Sequence, residues 1–160
     1  MLTDAENAIV KAYVEADQVL NALPNNSDGA FVIVYALSVI ANPAWIVWKS
    51  SVSRKEILQN GFDWTRLDNL SVGKARVWSD IFVDGSLNAS KANVRAGIDS
   101  VWVGTTGDLA VRTAVYIHCK RSATILEKLL STGTGTDAVP ATMTVEGAIS
   151  YSDVQSAMGW

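Results

Sequence analysis

Chemically reactive side chains are scarce in this sequence. With one cysteine and one histidine in 160 residues, no intramolecular disulfide can form, and a zinc cage of the usual Cys and His ligands cannot be assembled. Cys119, standing alone, fits synthesis in a reducing compartment. No acidic cluster has the spacing of a calcium loop. The formal charge is −3, and the cations are scattered, the densest group being the pair Lys120-Arg121. That distribution argues against nucleic-acid binding, which draws most of its affinity from a basic face that neutralises phosphates. The amino-terminus has no basic stretch followed by an apolar run, so no secretory signal is expected.

Catalytic arrangements are equally thin. His118 and Cys119 are adjacent, and neighbours on a helix point about 100° apart, which keeps them from sharing a proton as a Cys–His pair must. A core thiol beside a partly exposed imidazole is the expected reading. Gly133-Thr134-Gly135-Thr136 lacks the lysine of a phosphate-binding loop and follows a helix, where a dinucleotide fingerprint would follow a strand. Sixteen carboxylates allow many pairs that a fold could bring together for glycosidic chemistry, so the sequence singles out none. No catalytic, cofactor-binding or metal-binding residue is assigned, and no cofactor is expected.

What the chain does have is apolar content, 49% of its residues, and six tryptophans. One domain with a substantial core is expected at this length. Ala30 to Trp48 carries no charge and is almost long enough to span a bilayer. Pro43 interrupts it, leaving a piece the length of a buried helix, so a soluble core element is expected.

Helix signals follow along the chain. Thr3-Asp4-Ala5-Glu6 has the form of a capping box, and Ile9, Tyr13, Ala16, Leu20 and Leu23 share one face of a helix from Asp4 to Ala22. Pro24 and Asn25 to Gly29 form a turn. A second helix, Gly29 to Ala41, is apolar nearly all round and is expected at the centre of the bundle. Trp45 to Trp48 reads either as an extended segment or as a helical turn. Ser53-Arg54-Lys55-Glu56 repeats the capping-box form and predicts a short helix to Gln59, with Asn60-Gly61 as its exit. A further helix is expected to open at Asn69-Leu70-Ser71, with Val72, Ala75, Trp78, Ile81 and Phe82 on one face, and to end at Asp84-Gly85. Another, capped by Asn88 or Ser90, carries Val94, Ile98, Val101 and Trp102 and closes at Gly104. The longest is expected from Asp108 to Leu130, with Gly133 as its stop. Met143 to Gly147 alternates like a short strand, and Tyr151 to Ala157 reads as one or two helical turns. The expected fold class is mainly α: an irregular helical bundle, residues 1–131, with an extended carboxy-terminal arm containing a short strand, residues 132–160, entered through a flexible Gly/Thr hinge.

The stretches FDWTRLDNLSVGKARVWSDIF, NASKANVRAGIDSVWVGTTGDLAVRTAVYIHCKRSATILEKLL and TGTGTDAVPATMTVEGAISYSDV resemble a family of small phage and prophage proteins. The resemblance runs from about Leu2 to Val154, and its most specific parts are Asn93 to Ile98, Cys119-Lys120-Arg121, Thr132 to Thr136 and Met143 to Gly147. It implies a structural virion component of a tailed bacteriophage, similar to head-to-tail adaptors that form a ring beneath the portal. The implied partners are other copies of the chain in a cyclic homo-oligomer, the portal protein and a tail or neck protein, with no membrane and no sequence-specific nucleic acid. The arm would then be the docking element, through Thr134, Thr136, Met143, Val145, Ile149, Tyr151 and Trp160. Trp160 is singled out independently, because a large aromatic at a chain end invites burial in a partner. The alternatives are another neck, tail or capsid-surface protein, and a phage-encoded effector that binds a host protein. A membrane-lysis protein using Ala30 to Trp48 is a weaker reading.

Overall fold

A computed structural model describes residues 1–59 and 61–160. It is mainly α, with ten helices and only short strands among the described residues.

Local chemistry starts and stops these elements. Helix α1, Asp4–Ala16, begins with the expected capping box: the Thr3 hydroxyl accepts from the Glu6 N–H at 3.3 Å, and the Glu6 carboxylate accepts from the Thr3 N–H at 2.8 Å. The expected single helix to Ala22 is broken at Asp17. That residue is extended and its carboxylate caps a new short helix, α2, Gln18–Asn21, accepting from the N–H groups of Val19 and Leu20. An aspartate competes with the backbone for its own hydrogen bonds and favours a cap over a helix interior. Asn26 caps α3, Ser27–Ser38. Strand β1, Ile46–Trp48, settles the ambiguity of the Trp45 to Trp48 run as extended.

Strand β2, Val52–Ser53, leads directly into α4, Arg54–Gln59. Of the expected Asn60-Gly61 exit, Asn60 lies outside the described residues, and Gly61 has the positive φ of such an exit. A helix that the sequence did not announce, α5, Trp64–Asp68, is capped by Asp63. Helix α6, Val72–Asp80, starts at Ser71 as expected but stops short of the expected end at Asp84-Gly85. Strand β3, Ser86–Leu87, pairs antiparallel with β2. Helix α7, Ala92–Val101, follows Lys91, which gives no side-chain cap. Asn88 instead closes a turn by accepting from the Ser90 N–H.

Helix α8, Thr106–His118, begins with a second capping box, Thr105 with Asp108. The expected helix from Asp108 to Leu130 is not continuous. After His118 the chain runs through β4, Lys120–Ser122, and starts again as α9, Ile125–Leu129, at the Thr124–Glu127 capping box. The periodicity of Val111, Val115, Cys119, Ser122, Leu126 and Leu129 carries across the break, but Thr124 is a better cap than helix interior. Strands β5, Ser131–Thr132, and β6, Thr142–Met143, pair antiparallel, and α10, Tyr151–Met158, ends the chain.

The chain divides into two compact units: residues 1–47 with 122–160, and residues 48–121. This differs from the expected division into 1–131 and 132–160. In the first unit the terminal segments share one core, with Val10 and Val14 of α1, Ile33 and Leu37 of α3, Leu126 and Leu130, and Ile149, Val154 and Ala157 from the tail. The tail contains a short strand, at Thr142–Met143 in place of the expected Met143 to Gly147, and it is packed into this unit. The physical reason is the apolar face of α10, which removes more surface from water against α1 and α3 than it would in solvent. The second unit closes around stacked and edge-on aromatics. The ring centroids of Trp78 and Trp102 are 5.2 Å apart at 80°, and Phe62 lies 5.9 Å from Trp78 and nearly parallel to it.

Candidate functional site

The residues singled out in the sequence are placed variously within the first unit. Thr134, Thr136 and Tyr151 are exposed. Ile149 is buried in the core. Val145 and Trp160 are partly buried against that core, and Met143 packs on the small cluster of Val47, Ala123 and Ala141. Three of the seven are thus exposed, and the other four are wholly or partly buried. Trp160 has an intramolecular setting after all: its N–H donates to the Gln155 carbonyl at 3.0 Å and its side chain rests on the core.

The expected hinge is pinned. The Ile46 N–H donates to the Gly135 carbonyl at 2.8 Å, Trp45 Nε1–H donates to Ser131 Oγ at 2.9 Å, and Lys128 Nζ sits 5.5 Å above the Trp45 ring. Further along, the buried Glu127 carboxylate accepts from the Gly147 N–H at 2.9 Å while also closing the capping box of α9.

In the second unit, Cys119 ends α8 and is fully buried. Burial pushes its thiol up to about 12, with Lys49 pulling the other way. His118 Nδ1 lies 3.9 Å from Glu56 Oε1, and the same oxygen takes Lys49 Nζ at 2.9 Å. Nearby, Tyr116 donates to Asp99 Oδ1 at 2.9 Å. Its phenol is held above the ordinary tyrosine range by desolvation and then by Asp99. Arg95 stacks over Trp48 while donating to the carbonyls of Ala89 and Ser90. These groups read as a structural lattice that ties α7 to α8. Among the described residues, no three His, Cys, Asp or Glu side chains are grouped to hold a metal ion.

Two surface features stand out, and sequence reasoning missed both. The first is α3. Its inner face, Ala30, Ile33 and Leu37, is buried, but Phe31 is 64% exposed and Tyr35 71% exposed, with Val32 and Val39 also open. Phe31, Val32 and Tyr35 lie at helical spacing and form one outward stripe, with exposed Val39 just past the helix end, where the backbone turns extended. The expected central helix, apolar all round, therefore has one side uncovered. At twelve residues it is also too short to cross a bilayer, and no helix among the described residues is long and apolar enough to do so.

The second feature is a cleft of about 150 Å³ in the unit of residues 48–121. Phe62, Ala110, Val111 and Ala114 give it an apolar lining, and Gly61, Asp63 and Gly107 complete it. The small residues follow from helical spacing: Gly107, Ala110 and Ala114 lie along one side of α8. The Arg66 guanidinium lies so close to Gly107 that any side chain there would overlap it, and Arg66 Nε is 3.8 Å from Asp63 Oδ2. Trp64, half exposed, stands edge-on to Phe62 with ring centroids 5.7 Å apart. A single alanine-and-glycine stripe on a helix was the available signal in the sequence. No protein-family model matches the chain, and no curated protein or solved structure matches it either.

Proposed function

We propose that this chain is a structural virion component of a tailed bacteriophage, acting as a head-to-tail adaptor whose copies form a ring beneath the portal. The observation that carries the assembly role is the outward stripe of Phe31, Val32 and Tyr35 on α3. Contiguous exposed apolar surface marks an interaction site, and aromatic anchors supply much of the energy of such contacts. The sequence resemblance supports the phage setting. The interface is assigned to α3 instead of residues 132–160, because four of the seven tail residues are wholly or partly buried within their own unit. The role asks for a stable fold and adhesive surfaces, and calls on no reactive group.

The test is mass spectrometry of purified phage particles that encode the chain, with its copy number measured against the portal protein. A fixed, near-stoichiometric ratio to the portal is the expected result. Absence from the particle would overturn the reading and favour an effector directed at a host protein.

A further inference from the structure

The two units carry opposite formal charge. Residues 1–47 and 122–160 hold nine carboxylates against two lysines, a balance of −7. Residues 48–121 hold eleven Lys and Arg against seven carboxylates, a balance of +4. The whole-chain charge of −3 conceals this split. The acidic unit bears the exposed α3 stripe, and the basic unit bears the apolar cleft on α8.

We propose that copies of this chain associate head to tail, the α3 stripe of one copy entering the Phe62–Ala110–Ala114 cleft of the next. The occupant is a second copy, for two reasons. The unit offering the stripe and the unit receiving it are oppositely charged, so an encounter between copies in this orientation is attractive, whereas stripe against stripe brings two acidic units together. The size also fits: a space of about 150 Å³ accepts a ring the size of benzene, and Phe31 presents such a ring at the exposed face of α3. Tyr35, one turn further along, is placed to cover the cleft mouth, where the exposed Trp64 stands beside Phe62. A contact between two different surfaces leaves each copy with one free donor and one free acceptor, so association continues until a ring closes or a filament grows.

The proposal rests on the assembly role above, yet it can fail separately from the virion assignment. The experiment uses two variants of the full chain: Phe31→Asp, which removes the donor, and Ala114→Phe, which fills the acceptor. Phe31 is exposed and Ala114 half-buried in the cleft wall, so circular dichroism is used to check that each variant remains folded. Tyr35→Asp and Ala110→Trp serve as second donor and acceptor variants. Light scattering after size exclusion reads the mass. The wild-type chain is expected to form concentration-dependent oligomers, and each variant alone is expected to be monomeric. The equimolar mixture is expected to give a 1:1 dimer, since one copy keeps an intact stripe and the other an intact cleft. An Ala114→Phe chain that still self-associates would overturn the proposal in favour of a symmetric α3–α3 contact. A mixture that stays monomeric, or a wild-type chain that is monomeric at high concentration, would also overturn it. Stoichiometric presence in phage particles alongside either of those results would leave the virion role standing and remove the cleft from it.

Discussion

Gly135 lies against the indole of Trp45 so closely that a Cβ at position 135 would overlap the six-membered ring. The glycine also has a φ of +64°, a conformation that favours a residue without a Cβ. Together with the 2.8 Å bond from the Ile46 N–H, this makes the Gly/Thr run a fitted part of its unit.

Replacing Gly135 with alanine is therefore expected to cost about 2–4 kcal/mol, combining backbone strain with displacement of a packed ring. Gly159 provides the control. It has a φ of +74° at the end of α10 with nothing near its missing Cβ, so Gly159→Ala should lose only about 1 kcal/mol. Urea unfolding of both variants checks the difference, and equal losses would show that Trp45 does not press on the loop.

The Glu127 carboxylate holds two backbone N–H groups, those of Thr124 and Gly147, from a position that is 1% exposed. Glu127→Ala strands both donors, and a loss of about 2–4 kcal/mol is expected. The looser segment should be 133–149. Limited proteolysis with peptide mapping is expected to show earlier cutting there than in the wild type, and an unchanged digestion pattern would contradict the clasp.

Cys119 should be chemically silent in the folded chain. Its thiol is buried and pushed up to about 12, so the nucleophilic thiolate is negligible at neutral pH. Alkylation at pH 8 is expected to go to completion in denaturant and hardly at all without it. Rapid labelling of the native protein would point to a reactive site on α8.

Four capping carboxylates set the acid behaviour. Glu6, Asp63, Asp108 and Asp153 are each held below the ordinary carboxylate range, first by hydrogen bonds from Thr3, Thr65, Thr105 and Ser150. A depressed folded-state pKa contributes stability above the unfolded value, and that stability is lost as pH falls through the folded one. Their contribution should be constant from neutral pH down to about 5 and decline below about 4. Asp153→Asn is expected to flatten part of that decline in a melting-temperature profile against pH, and a profile unchanged by the substitution would remove Asp153 from the account.

The local grammar of this chain was legible without coordinates. Thr3 with Glu6 and Ser71 are hydroxyl caps whose partners lie within three residues, and they start helices as expected. The turn expected at Pro24 to Gly29 separates two helices as read, although Asn26 within it caps α3 at Ser27, ahead of the expected start at Gly29. Such signals depend on neighbours in sequence, so the sequence alone decides them. The mainly α class follows from their number together with the helical period of the apolar residues.

What needed the tertiary structure is whatever depends on a distant partner. The apolar period from Val111 to Leu129 runs smoothly through the point where the chain turns into β4, because both segments bury a face in a core of their own. Phe31 and Tyr35 look like core residues in sequence, and only the placement of the surrounding elements leaves their side of α3 uncovered. The Gly/Thr run looks flexible until Trp45, ninety positions earlier, is set against Gly135. The charge split is hidden for the same reason: the acidic unit is assembled from both ends of the chain, and no window along the sequence sums those residues together.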